Sequence, residues 1–308
     1  VMDATGIVIN DGSNDRDFRI ETTGDTHRVF IDGGNDRLLI GTTASRAMSG
    51  VTPDFFIEGT SYADSGLGAV INANGAIDCP VMLFGKSRGT SLGSNTVVQN
   101  GDRLFTMRFD GSDGTNLEQA AMIEAYVDAA PANNSVPGRL SFWTTNDGAQ
   151  YSTEKMRIDN AGHVTMPLQP AFNAIPATNQ TNMATSTNVT VVFGTEVFDV
   201  GSNFASNTFT APVTGKYQLN VNVRLNNIDT AADYYTIYLV TSNRQYYVLE
   251  DPGQYAGDIP YKTYNISVLA DMDASDTAFV RFYQAGGTAQ TDTNYDDGGT
   301  TFTGILLA

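Results

Sequence analysis

The sequence predicts an all-β protein, and three observations support this. Two short phrases near the start repeat one pattern, a polar corner followed by a strand-like run. Gly, Thr, Asn, Asp and Ser are plentiful, while charged residues make up 17% of the chain, below the roughly 25% typical of globular proteins. The C-terminal half alternates apolar and polar residues with a period of two, the pattern of half-buried strands. The length suggests about two or three domains.

Residues 1–48 are predicted to form a stem of β-hairpin repeats. The phrase Asn14-Asp15-Arg16-Asp17-Phe18-Arg19-Ile20 returns as Asn35-Asp36-Arg37-Leu38-Leu39-Ile40-Gly41, and Val8 lies in a similar short β-prone run. An isolated two-stranded hairpin is marginal in water, so such units need neighbours. We therefore expect the repeats to stack or to wrap around identical chains, as repeat architectures do.

Residues 49–153 are predicted to form a middle β module. Residues 118–126 could be a helix, but their apolar side chains also alternate, and the β context on both sides favours a strand. The other predicted strands of this module are residues 55–57, 69–71, 81–84, 104–109 and 139–143.

A third, looser copy of the repeat opens residues 154–170. It reads Lys155-Met156-Arg157-Ile158-Asp159-Asn160-Ala161-Gly162-His163-Val164, in which Asp-Asn-Ala-Gly is turn chemistry between two short strands. The prolines of Met166-Pro167-Leu168-Gln169-Pro170 then predict a connector between modules.

Residues 171–308 are predicted to form one antiparallel β-sandwich. Tyr217, Leu219, Val221, Val223 and Leu225 alternate with polar residues, which places one face of a strand on a core and the other in water. Further strands are predicted at residues 236–240, 246–249, 264–270, 278–284 and 300–307, a spacing typical of sandwiches.

Composition and charge argue against several classes of partner. The formal net charge is −17 and the isoelectric point is near 4.2, so the chain would repel the phosphates of nucleic acids. No apolar run approaches the roughly 20 residues that span a bilayer, which argues against membrane insertion. Cys79 is the only cysteine, which leaves no disulfide within one chain, and we expect it to be a small buried hydrophobe beside Pro80. Because Val1 is not a translation start, we expect further residues before it.

Three phrases of the C-terminal region resemble the C1q and tumour-necrosis-factor-like family. They are Val191 to Asp199, the run from Phe209 through Pro212, Gly215 and Tyr217 to Leu219, and Thr301-Phe302-Thr303-Gly304-Ile305-Leu306-Leu307. Leu219 stands where the family usually has Phe, and Asn207 where a Gly often precedes the strand. The resemblance implies a ten-strand jelly roll that assembles as a homotrimer and binds a partner through its loops.

The repeats resemble a second group, the tail-fibre and other virion-fibre proteins of tailed bacteriophages. The matching phrases are Ile31-Asp32-Gly33-Gly34-Asn35-Asp36-Arg37 and Glu154-Lys155-Met156-Arg157-Ile158-Asp159-Asn160-Ala161-Gly162. Their order in one chain that ends in a C1q-like module implies a fibre stem followed by a trimeric tip.

The sequence contains no recognisable set of catalytic residues, so we expect a protein that is not an enzyme. A catalytic His needs an orienting carboxylate and a nucleophile, but His27 and His163 lie in or beside turns of the repeats and are expected to be structural. Paired carboxylates could still hydrolyse host glycans. The sequence cannot single out such a pair among 34 acidic residues.

Calcium is the cation that the acidic loops would suit. Asp271, Asp273 and Asp276 alternate along one loop, and Asp292, Asp296 and Asp297 form a second. Such oxygen-rich loops match a hard cation with six to eight oxygen ligands. The alternative is that both loops are solubilising turns.

Tyrosines cluster between residues 234 and 264 and supply candidate receptor contacts. Tyr presents a flat apolar face for sugars and a hydroxyl for hydrogen bonds. Tyr235 shares a face with Ile237 and Leu239 and is expected to be buried, whereas Tyr255 and Tyr261 are expected to be exposed.

The sequence therefore predicts a homotrimeric structural virion fibre protein, located on the particle surface, whose C-terminal tip recognises a glycan or protein receptor on the host cell. Its N-terminal side would bind other virion proteins. Two alternatives stay open: a fibre or decoration protein that binds only virion proteins, and a glycan depolymerase.

Overall fold

The computed structural model describes residues 17–295 and 298–308, together with the backbone of two short strands before them. Val8 and the first polar corner, Asn14-Asp15-Arg16, lie outside the described residues, as do Asp296 and Asp297. The chain divides into two compact units, Val1–Met166 and Pro167–Ala308. Apart from one short 3-10 turn, every described element is a strand, so the all-β prediction is confirmed. No helix among the described residues has the length and hydropathy of a membrane span.

The first two repeats build one small sheet of the N-terminal unit. Its strand order is β3-β4-β5-β6, antiparallel except for β6, which runs parallel to β5. The strands of the two repeat phrases lie on either side of β4, so that Ile31 pairs with Phe18 on one side and with Leu38 on the other. Phe30, Leu39 and Phe56 form its buried core. Its strands are β3 Phe18–Thr22, β4 Asp25–Asp32, β5 Arg37–Ile40 and β6 Phe55–Ile57, whereas β1 Met2–Asp3 and β2 Gly6–Ile7 pair in a separate two-stranded sheet.

The same aspartate device closes the turns of the second and third repeats. Asp32 Oδ1 accepts hydrogen bonds from the backbone N–H groups of Gly34 and Asn35, each 3.1 Å away. Asp159 Oδ1 accepts from the N–H groups two and four residues later, each at 2.9 Å. An aspartate that bonds to its own following backbone fixes a turn locally, which is why this residue type recurs at these corners.

A five-stranded antiparallel sheet follows in the N-terminal unit. Its order is β11-β10-β9-β8-β7, and the strand interpretation of residues 118–126 is confirmed, because Ile123 pairs with Met107 and Phe142 on its two sides. The strands are β7 Arg103–Ser112, β8 Leu117–Val127, β9 Gly138–Thr145, β10 Ser152–Ile158 and β11 Val164–Thr165.

Two strand predictions in the middle module and the burial of Cys79 are wrong. Residues 69–71 and 81–84 belong to no strand, and every residue from 65 to 86 is exposed, including Cys79. These runs have the apolar, β-prone composition of strands. A strand also needs a neighbour to pair with, and the described part of the chain supplies none here.

The C-terminal unit is a two-sheet antiparallel jelly-roll sandwich. One sheet has the order β13-β23-β18-β24-β12-β15, with β21 on the opposite edge of β18, and we call it sheet 1. The other, sheet 2, has the order β16-β17-β22-β19-β20, with β14 beside β22. The strands are β12 Ala171–Ile175, β13 Gln180–Met183, β14 Val189–Thr190, β15 Thr195–Val200, β16 Phe204–Ala205, β17 Thr208–Thr210, β18 Gly215–Ile228, β19 Ala232–Thr241, β20 Gln245–Glu250, β21 Ile259–Met272, β22 Thr277–Gly286, β23 Thr291–Thr293 and β24 Thr301–Leu306.

The alternation that predicted this sandwich is confirmed in β18. Tyr217, Leu219 and Leu225 are fully buried, and Phe302 and Tyr235 are buried with them. The two sheets enclose this one continuous apolar core, as sandwiches do.

Gly304 lies where the core has no room for a side chain. It pairs with Phe172 on β12 and Leu219 on β18, and an added Cβ would overlap the Phe172 ring and lie 2.7 Å from Leu219 Cδ2. We expect Gly304→Ala to lower the free energy of unfolding by about 1–3 kcal/mol, because the core must shift to admit a methyl group. Urea unfolding would measure this. Gly257→Ala is the control, since nothing lies within 4 Å of its added Cβ, and an equal loss in both variants would contradict the packing argument.

Candidate functional site in the C-terminal unit

Tyr255 and Tyr261 flank the start of β21, in a segment fixed by local hydrogen bonds. Asp251 caps the 3-10 turn Pro252–Gln254, its Oδ1 accepting from the Gly253 N–H at 2.8 Å. The Tyr255 N–H donates to the Pro252 carbonyl at 3.1 Å. These bonds fix where Tyr255 leaves the turn.

The Tyr255 hydroxyl is hydrogen-bonded to both members of an ion pair, Glu250 and Lys262. It donates to Glu250 Oε1, and Lys262 Nζ lies 3.0 Å from that oxygen and 2.9 Å from the hydroxyl. Burial alone would raise the pKa of Glu250, but the hydrogen bonds from Tyr255 and Lys262 outweigh it and lower that pKa. The same contacts, first with Tyr255 and then with Glu250, raise the pKa of Lys262. The pair is therefore charged at neutral pH and anchors the ring, which stays 39% exposed.

Tyr261 lies under an arginine on the outward face of sheet 1. The Arg224 guanidinium carbon is 4.6 Å from the centroid of the Tyr261 ring, a cation–π distance. The tyrosine is 60% exposed. Both expectations of exposure are thus met by the single chain.

The structure does not bring Tyr255 and Tyr261 together. Successive side chains of a strand point to opposite faces of the sheet. Tyr261 points outward on β21, whereas Lys262, which bonds to Tyr255, shares the inward parity of buried Tyr264. The two tyrosines offer separate contact points, not one pocket.

Three tyrosines of the predicted cluster, Tyr234, Tyr238 and Tyr247, share a face of sheet 2 with Arg281 and Tyr283, which the sequence analysis did not predict. We call it the tyrosine face. Its members point outward from β19, β20 and β22, because the alternate residues of these strands form the core. Tyr247 is 63% exposed, its ring centroid lies 5.7 Å from that of Tyr238, and Arg281 stacks over Tyr238 at 4.4 Å. The members of the tyrosine face are Tyr234, Tyr238, Tyr247, Arg281 and Tyr283.

The charge of the tyrosine face sets it apart from the rest of a strongly acidic chain. Arg281 is the only basic or acidic residue among its five members, and the Arg281 guanidinium also donates to Gln245 Oε1 at 3.2 Å. Aromatic rings held by a strand lose little entropy on contact, and an arginine among them adds a directional donor. This arrangement can stack on a sugar ring or an aromatic side chain. The alternation of β19 and β22 in the sequence shows which of their residues share a face. Only the register between the two strands shows that these tyrosines and Arg281 are neighbours.

A ladder of amides and hydroxyls lies along part of the outward face of sheet 1, beside the exposed side chains of Leu269 and Ile305. Asn220 Oδ1 accepts from Ser267 Oγ at 2.8 Å, and Asn222 Nδ2 donates to Thr301 Oγ1 at 3.2 Å while its Oδ1 accepts from Asn265. The sequence had indicated a solvent-facing surface here. Its uncharged donors and acceptors suit contact with another polar surface.

The three aspartates proposed for calcium are occupied by protein partners. Asp271 pairs with Lys216, which lowers the pKa of the Asp271 carboxyl. Asp276 Oδ2 accepts from Asn243 Nδ2 at 2.7 Å and from the Asp273 N–H at 2.9 Å. Across the described residues, no three acidic, His or Cys side chains converge on a point where a metal ion could sit. Asp276 thus closes the turn after β21 while Asp271 lies within that strand, and calcium binding by these residues stays a prediction.

The second acidic loop also serves the protein's own backbone. Asp292 Oδ1 accepts from the Asn182 N–H at 2.7 Å, and its Oδ2 accepts from Asn227 Nδ2 at 3.1 Å. Its two remaining acids lie outside the described residues.

The histidines have local partners: His163 Nδ1 is 2.9 Å from Asp159 Oδ2, and His27 Nδ1 is 2.9 Å from Thr26 Oγ1.

No protein-family model matches the chain, and no curated protein matches it in sequence. Among solved structures, it is similar to the globular domain of a zebrafish complement 1qA protein, at 12% identity over 46% of this chain and 98% of that one, with a TM-score of 0.34. It is also similar to murine APRIL at pH 8.0, at 13% identity over 45% and 99%, with a TM-score of 0.35. Similarity at this level says nothing about what the chain binds.

Proposed function

We propose that the chain is a structural virion fibre protein, a tail fibre or similar, whose homotrimeric C-terminal unit recognises a glycan or protein on the host cell surface. Its place would be the particle surface, with other virion proteins bound through the N-terminal side. The observation that carries the recognition role is the tyrosine face. It combines the exposed ring of Tyr247 and the half-buried rings of Tyr234, Tyr238 and Tyr283 with a single arginine, in a chain of net charge −17.

Charge decides what kind of contact this would be. An acidic particle gains nothing from long-range attraction to an anionic envelope. Adhesion therefore depends on short-range stacking and hydrogen bonds, which the tyrosine face, Tyr255 and Tyr261 can supply. Three equivalent sites on one trimer multiply weak individual contacts into useful avidity.

Binding of the full chain to host cells or to their extracted envelope tests the proposal. We expect Tyr247→Ala, and also Tyr255→Ala or Tyr261→Ala, to weaken binding about tenfold or more, as aromatic contact residues do. Assembly, followed by light scattering, should stay unchanged. Tyr62→Ala is the matched control, because Tyr62 is 94% exposed and lies in the other unit.

Two outcomes would replace this proposal. If the chain binds no host envelope and does not block infection, while particles lacking the C-terminal unit adsorb normally, the purely structural fibre or decoration protein is the better reading. Release of glycan fragments from the envelope would instead identify the chain as a depolymerase.

A further inference from the structure

Residues 65–86, here the 65–86 tract, present most of their large apolar side chains to solvent. Every residue of the tract is exposed. A single exposed Leu needs no explanation, but a contiguous run of large apolar side chains marks an interaction surface. The most exposed of them are Leu67, Val70, Ile77, Val81, Met82 and Leu83, with 63% to 92% of their surface in water.

The backbone of the 65–86 tract makes almost no hydrogen bonds to other backbone groups. Within the described residues its one backbone hydrogen bond joins the Asp78 N–H to the Gly75 carbonyl, at 3.3 Å. An extended segment with free N–H and C=O groups behaves like the edge of a sheet, which other chains can pair with.

The N-terminal unit has too small a core to be complete as one chain. Its buried apolar side chains, among those described, are Phe30, Leu39, Phe56, Val98 and Val127. The C-terminal unit, of similar length, encloses a continuous core between two sheets. A unit of this length normally buries a large core of its own. The exposed apolar side chains of the 65–86 tract are the ones that this unit would bury if another chain covered them.

The net charge of the 65–86 tract indicates which molecule binds to it. Asp78 and Lys86 are the only charged residues of the tract, so its formal charge is zero in a chain of −17. Two copies of so acidic a chain repel each other wherever acids meet, and a neutral tract is where they can touch. Its small residues, among them Gly66, Gly68 and Ala69, let two extended backbones approach closely. A positively charged partner would be attracted to the acidic parts of the chain, so it would have no reason to select an uncharged tract.

We propose that the 65–86 tract is a subunit contact, covered in the assembled protein by the N-terminal unit of a second copy of this chain. This contact is independent of the C-terminal unit and of any receptor. It predicts that backbone and apolar side chains of the tract are both removed from water on assembly.

Cys79 makes the proposal directly measurable, because it is the only cysteine and is exposed in the single chain. The full chain is treated with iodoacetamide, and alkylation is followed by mass spectrometry while light scattering reports the mass of the particle. We expect a particle of three chains whose Cys79 reacts at least about tenfold more slowly than in the urea-unfolded chain, since protection scales with the fraction of closed contacts. Reaction at the unfolded rate would overturn the proposal, even in a trimer held by its C-terminal units.

A pair of variants locates the contact. Leu83→Asp, within the tract, is expected to restore fast alkylation of Cys79, because it buries an unpaired charge. Tyr151→Asp places the same charge at a side chain that is 67% exposed and outside the tract, and it should leave Cys79 protected. Equal protection in both variants would overturn the assignment.

Hydrogen exchange on the unaltered chain decides the matter if Leu83→Asp does not fold. Amides of residues 65–86 should exchange slowly, because pairing with a second copy occupies them. Exchange at the rate of free peptide would overturn the proposal. So would protection that appears only after phosphatidylcholine vesicles are added, since the occupant would then be lipid.

Discussion

Replacing Phe302 with Asp is expected to unfold the C-terminal unit. Phe302 is fully buried on β24, and its ring centroid lies 4.9 Å from that of Phe172, 5.8 Å from Phe193 and 6.0 Å from Phe204. Truncating a buried Phe costs about 3–5 kcal/mol, and an unpaired carboxylate in its place costs several more. The sum is comparable to the about 5–15 kcal/mol that stabilises a whole domain.

Circular dichroism and urea unfolding would measure the loss, with Leu249→Asp as the matched control. Leu249 is 53% exposed on the outward face of β20, so the same charge there should change the free energy of unfolding by only about 0.5 kcal/mol. A Phe302→Asp chain with the unfolding curve of the unaltered protein would contradict the position of this ring in the core.

The sequence-based predictions are correct for the strands whose pairing and packing partners lie in the same chain. The alternation around Tyr217 and Leu219 specifies a buried face because both sheets of the C-terminal unit come from the same chain. The repeat corners were also legible, since Asp32 and Asp159 close their turns through bonds to residues within a few positions. Local chemistry and period-two patterning carry this information without reference to distant residues.

The same rules failed at residues 69–71, 81–84 and Cys79. Composition there indicates strands, but whether a strand forms depends on a neighbour, and the described chain offers none. A sequence pattern reports that a segment prefers burial and pairing. It does not report which chain provides them.

The candidate site shows the limit of reading exposure one strand at a time. Parity along β21 separates Tyr261 from Tyr255, and the tyrosine face exists only through the register of Tyr238 with Tyr247 and Arg281. Likewise, the acidic spacing at Asp271 gave no sign that Lys216 would face it across the neighbouring strand. Cross-strand partners decide the chemistry of a sheet surface, and a single sequence does not contain them explicitly.

Removing the Asp229 carboxylate is expected to destabilise the C-terminal unit almost as clearly as a core substitution. Asp229 is 3% exposed, and its oxygens accept from the backbone N–H groups of Ala231 at 2.8 Å and Ala289 at 2.7 Å, and from that of Thr288. Asp229→Ala removes the buried acceptor of these three bonds. Because the donor residues Ala231, Thr288 and Ala289 are themselves exposed, water can replace part of the loss, and we expect about 1–3 kcal/mol in total. Asp258→Ala is the control, because Asp258 is exposed and water can replace its contacts with Thr230.

The pH dependence of this loss gives the second half of the test. Burial alone would raise the pKa of Asp229, but the hydrogen bonds from Ala289, Ala231 and Thr288 outweigh it, so that pKa lies below its ordinary value. A carboxyl with a lowered folded-state pKa stabilises the fold above its unfolded pKa of about 3.9, and this stabilisation is lost as the pH falls through the folded value. Urea unfolding of the unaltered chain and of Asp229→Ala should therefore differ most near neutral pH and converge below about pH 4. A difference that grows on acidification would show that the carboxylate is not held by these donors.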